Sequence, residues 1–167
     1  MANTYIKIAA VTVGAGGAAN IEFTSIPSTY TDLCLVYSTR TTAVSVSGND
    51  IISLNGSSSS FTGRRLYGSG SSAASDTVTT WAGFNSASTG TASTFSNSAI
   101  YFPNYAGSTN KSYSIDSVQE QNGTTAYMGL NAGLWSNTAA ITSIRFTPDS
   151  GNYAQYSTAT LYGIKSS

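Results

Sequence analysis

Thr31-Asp32-Leu33-Cys34-Leu35-Val36-Tyr37-Ser38-Thr39-Arg40 is the stretch that decides the fold class. Leu33, Leu35 and Tyr37 fall on one side of an extended chain, and Cys34, Val36 and Ser38 on the other. Side chains alternate across a strand with a period of two, so this run predicts a central strand covered on both faces. Outward from it, period-two runs recur in both directions and no sustained helical spacing occurs. Upstream, Tyr5 to Val13 alternates and ends at Gly14-Ala15-Gly16-Gly17, a loose hairpin connection, and Ile21 and Phe23 share a face until Ile26-Pro27 stops the strand. Downstream, Ile51 to Leu54 runs into Asn55-Gly56, a dipeptide suited to tight hairpin turns because both positions tolerate positive φ. Asn122-Gly123 gives the same signal between Tyr113 to Glu120 and Thr125 to Leu130. Further strands are expected at Thr77 to Phe84, Thr94 to Phe102, Ala140 to Thr147 and Ser157 to Ile164.

These make about ten strands at spacings typical of sandwiches. The longest interruption is the Ser, Gly and Ala-rich segment from Ser57 to Asp76, read as a surface loop within one domain spanning residues 1–167. The expected fold is all-β, an antiparallel β-sandwich of jelly-roll type.

Composition supports strands over helices. Ser and Thr together supply 52 of 167 residues, while the Glu, Lys, Arg, Gln and Leu that fill exposed helix positions are scarce. Seven basic and seven acidic residues cancel, leaving no long-range field to steer the chain to nucleic acid or an anionic membrane. Neither partner is expected. A chain this weakly charged is prone to self-association, which suits a subunit held in an assembly. Met1-Ala2-Asn3-Thr4-Tyr5 has no basic segment leading into an apolar one, and no apolar run reaches the roughly 20 residues that span a bilayer. The lone Cys34 reads as a small buried hydrophobe.

Chemistry-bearing patterns are sparse. An acyl-transfer nucleophile needs a base, and the chain has no His, while Lys7, Lys111 and Lys165 stand in no recognisable motif. Glycoside hydrolysis needs two carboxylates across a cleft. Of Glu22, Asp32, Asp50, Asp76, Asp116, Glu120 and Asp149, several fall in turn-like surroundings where a short acid accepts backbone hydrogen bonds. Asp116 and Glu120 would share a strand face, as residues on a solvated sheet surface also do. Zinc lacks its ligands, no acidic calcium loop occurs and no phosphate loop follows the glycines, so no catalytic residue, metal or cofactor is expected. The local basic cluster Arg64-Arg65, followed by Leu66-Tyr67-Gly68, suits a subunit or partner contact, with an internal salt bridge as the alternative. Trp81, between Thr80 and Ala82, joins Arg64, Arg65 and Tyr67 as a candidate contact, whereas Trp135 reads as core.

Several phrases in fixed order resemble a known group: Phe23-Thr24-Ser25-Ile26-Pro27-Ser28-Thr29-Tyr30-Thr31-Asp32-Leu33, Arg65-Leu66-Tyr67-Gly68, Ile100-Tyr101-Phe102-Pro103-Asn104-Tyr105-Ala106, Gly133-Leu134-Trp135-Ser136-Asn137-Thr138-Ala139-Ala140-Ile141-Thr142-Ser143-Ile144 and Tyr156-Ser157-Thr158-Ala159-Thr160-Leu161-Tyr162-Gly163-Ile164. Together they resemble small virion proteins of tailed bacteriophages, the cyanophage type among them. The resemblance implies a non-enzymatic β-sandwich, often a homotrimer, made in the host cytoplasm and carried on the virion. It serves there as a capsid decoration or cement subunit on the outer surface of the head, bound to the major capsid protein, or as a tail fibre or tail-tip adhesin that binds host polysaccharide among the tail proteins. Physically, Ile26-Pro27 ends a strand at a corner that Tyr30 can plug, and Pro103-Asn104-Tyr105 would do the same at a second corner. A flat apolar patch beside a sheet edge would favour the shell protein, and aromatics clustered on exposed loops the adhesin.

Overall fold

A computed structural model describes residues 4–165; Met1–Asn3, which open the stretch read for a leader, lie outside them. Within the described residues the chain is all-β: twelve strands and no helix. In order these are β1 (Tyr5–Thr12), β2 (Ile21–Phe23), β3 (Asp32–Ser38), β4 (Ser47–Leu54), β5 (Phe61–Gly68), β6 (Ala73–Val78), β7 (Trp81–Ser86), β8 (Asn97–Phe102), β9 (Lys111–Gln119), β10 (Tyr127–Trp135), β11 (Ile144–Pro148) and β12 (Thr158–Ile164). They form an eight-stranded sheet, β1-β12-β3-β8-β9-β10-β5-β6, and a four-stranded sheet, β2-β11-β4-β7. All strand pairs are antiparallel, and the two inner faces share one continuous apolar core, as in a β-sandwich.

The deciding stretch is β3, seated in the large sheet between β12 and β8. Leu33, Leu35 and Tyr37 are buried as expected. Its other side is not covered: Val36 is 39% exposed and Cys34 half-buried, because the second sheet packs on one face only. That corrects both the doubly covered strand and the buried Cys34.

The Ser57–Asp76 loop is corrected as well. Phe61 to Gly68 and Ala73 to Val78 pair as an antiparallel hairpin that closes one end of the large sheet. The run expected from Thr77 to Phe84 is cut by a turn at Thr79-Thr80, which sends β6 and β7 to different sheets. Asn55 and Gly56 do take positive φ, 51° and 74°, in a two-residue turn. The following strand nevertheless leaves β4 and joins β10 in the other sheet. Gly14 to Gly17 likewise turns the chain from one sheet to the other rather than closing a hairpin.

Both corners noted in the sequence exist, and they touch. Tyr105 is fully buried and its hydroxyl donates to the Pro27 carbonyl. Asp32 accepts from the Asn104 amide at 2.8 Å and from the Tyr101 hydroxyl at 2.7 Å. That bond to a carboxylate pushes the Tyr101 phenol up to about 12. Tyr30 lies flat on Gly163, where a Cβ would come within 2.3 Å of its ring.

A polar seam fixes β7 beneath the large sheet. The Tyr37 hydroxyl donates to the Ala82 carbonyl, and the Phe84 amide donates to Ser117 Oγ at 2.8 Å. Ser98 and Ser117 hydroxyls lie 2.8 Å apart. Gly83 sits among them, because a Cβ there would meet Tyr37 Oη at 2.6 Å and Ser98 Oγ at 2.8 Å. At one end of the seam the fully buried Asp50 accepts from Thr39 Oγ1, Asn85 Nδ2 and the Tyr153 hydroxyl, each at 2.9 Å. Burial outweighs those bonds and pushes its carboxyl up to about 6.

Candidate functional site

The four expected contact residues separate. Alternation along β5 turns Arg65 and Tyr67 inward and Arg64 and Leu66 outward. Arg65 forms a bidentate pair with Asp76, with Nε to Oδ1 at 3.0 Å and Nη2 to Oδ2 at 2.6 Å. Its guanidinium lies 4.7 Å from the Tyr67 ring centre and 5.0 Å from that of Trp81. A cation flat on aromatic faces and gripped by a carboxylate is held by its own chain. Trp81 is 5% exposed, and its indole N–H donates to Asn49 Oδ1 at 3.0 Å. Arg65, Tyr67 and Trp81 therefore line the mouth between the sheets, and Arg65 forms the internal salt bridge that the sequence offered as the alternative. Of the four, Arg64 remains on open surface.

Arg64 lies on the outward face of the large sheet, which has an unusual polarity. Leu66, Met128 and Leu130 are 57%, 58% and 53% exposed there. Among the described residues every exposed large apolar side chain except Val44 and Tyr156 lies on this face, with Val118, Tyr101, Val36 and Tyr5 completing the set. Register packs the central ones together: Leu130 stands opposite Leu66 on one side and Asp116 on the other, and Met128 opposite Val118. Beside this ridge runs a trough of about 600 Å³ edged by Arg64, Leu66, Tyr101 and Pro103 and floored by Ser112, Ser114 and Ala132.

The inward partners explain why the large side chains are outside. Gly129 and Gly133 take the buried positions of β10, because Phe84 and Trp81 press on the first and the Tyr113 ring covers the second. A Cβ on Gly133 would come within 2.2 Å of that ring. The interior is filled by aromatics from neighbouring strands, and the leucines of β10 are turned to the surface.

The acids are dispersed. Glu22 pairs with Arg145 at 2.9 Å, Asp149 accepts from Asn49 Nδ2 at 2.9 Å, and Glu120 accepts the Gln121 and Asn122 amides in the turn after β9. Asp116 stands on the outward face, with no opposite charge paired to it among the described residues. Cations are used internally too. Lys111 is buried, and its ammonium donates to the carbonyls of Gly107, Thr109 and Thr138. Arg40 donates to the carbonyls of Ser88, Gly90, Thr91 and Thr94, gathering the segment between β7 and β8.

Nothing among protein-family models, curated proteins or solved structures matches this chain. Its functional reading rests on its own surface. The sequence did not mark Leu66, Met128, Leu130 and Val118 as surface residues. The available signal was the alternation of Gly129, Asn131 and Gly133 with Met128, Leu130 and Ala132, in which the small residues hold the buried phase.

Proposed function

We propose that the chain is a non-enzymatic structural subunit of a tailed-phage particle, a capsid decoration protein that acts by covering and being covered. The observation that carries this reading is the concentration of exposed Leu66, Leu130, Met128 and Val118 on one sheet face of a neutral chain. An apolar patch rimmed by polar residues marks a protein contact, and burying it between neighbours stabilises a shell by mass action without chemistry. The placement of both tryptophans in the interior supports the shell reading over a tail adhesin, which would present such rings to a sugar.

Immunogold labelling of purified particles tests this. Gold distributed over the head is the expected result, and gold confined to the tail would replace the decoration reading with the adhesin.

A further inference from the structure

We infer that the outward face of the large sheet takes a second copy of this chain, packed face to face about a two-fold axis lying in the interface. The inference rests on the reading of this face as an assembly surface and names its occupant. Charge points to self-pairing. Arg64 and Asp116 flank the Leu66–Leu130 pair on opposite sides, Arg64 on β5 opposite Ala132 and Asp116 on β9 opposite Leu130. Arg64 donates only to the Gly63 carbonyl, and neither residue has an ion-pair partner among the described residues. Strand β10 lies between them, and the two are not paired with each other within the chain.

A two-fold is the operation that satisfies both charges. When its axis passes between Leu130 and Ala132, Arg64 of each copy comes over Asp116 of the other. The same rotation sets Leu66 of each copy against Leu130 and Met128 of its partner. An isologous contact needs one patch that is its own complement, and here cation, anion and apolar ridge share one patch. A three-fold contact would instead need two different complementary patches. With the axis on β10, the strands from β8 to β6 overlap; at about 4.8 Å between strands and about 3.3 Å per residue they give roughly 600 Å² on each copy, the scale of a small interface that forms at micromolar concentration. The chain's zero net charge imposes no repulsion between copies.

Sedimentation velocity of the purified chain from low to high micromolar concentration tests this. The expected mass is that of two chains. Arg64→Asp and Asp116→Arg each weaken association at least tenfold, and the double variant restores it, while circular dichroism reports an unchanged fold in all three. A three-chain mass, a single-chain mass throughout, or a double variant as weak as either single one overturns the inference. Binding of wild type and Leu130→Asp to particles lacking the protein separates this from the underlying reading. If a monomeric wild type still binds and Leu130→Asp does not, another virion protein occupies the face: the assembly reading survives and the self-pairing fails. If the wild type pairs in solution but never labels particles, the self-pairing stands and the virion reading fails.

Discussion

The seam under β7 and the outward face of β9, β10 and β5 are opposite in polarity to their surroundings. The seam lies inside and is built from Tyr37, Ser98, Ser117, Thr39, Asn85 and Asp50; the face lies outside and is built from Leu66, Met128, Leu130 and Val118. Buried polar groups are costly unless bonded, so those of the seam accept one geometry and fix where an edge strand sits. Exposed leucines contribute little to the folded monomer and are free to serve a neighbour. Seam substitutions should therefore unfold the protein, and face substitutions should change only what it associates with.

The sharpest break of that contrast is Gly83→Val. Its side chain would drive into Tyr37 Oη and Ser98 Oγ, and a loss of about 3 kcal/mol or more is expected in urea unfolding. A midpoint within error of wild type would mean that β7 is not fixed by the seam. Next comes pH. Asp50 holds its proton up to about 6 when folded, against an ordinary value of 3.8, so its contribution is fully present below about 3.8 and is lost as pH rises through 6. Stability should fall by about 3 kcal/mol over that range, and Asp50→Asn should flatten this part of the profile. An unchanged slope in the variant would assign the titration elsewhere. Tyr37→Phe leaves the Ala82 carbonyl without its donor and should cost about 1–3 kcal/mol, read from the thermal midpoint. On the face, Leu66→Ser should move monomer stability by no more than about 0.5 kcal/mol, measured at a concentration where the chain is dissociated. A larger loss would make Leu66 part of the fold rather than of the contact.

The sequence yielded the fold class because period two survives wherever one face is buried, as Leu33, Leu35 and Tyr37 illustrate. It did not yield the sheet partners. The Asn55-Gly56 turn has hairpin geometry, yet β5 crosses to the other sheet, a choice made by distant packing and invisible in the turn. The β5–β6 hairpin was obscured by composition, since Ala73 to Val78 is mostly exposed on both faces and offers no alternation. At the site, Arg64 and Arg65 were legible as a pair but not as neighbours facing opposite ways. Met128 and Leu130 were legible only as members of an expected strand, and the packing of Tyr113, Phe84 and Trp81 across the sheet reveals that the glycines lie inside.

The order β1-β12-β3 carries a consequence for biosynthesis. Residues 158–164, which leave the ribosome after every other described strand, are the strand on which both β1 and β3 depend. Until they emerge, β1 has no partner in its sheet and β3 has a bare edge. The large sheet is therefore completed only after residue 164 has been made, with the slow kinetics of pairings between distant segments. Exposed edges on the incomplete chain are an aggregation hazard for that interval.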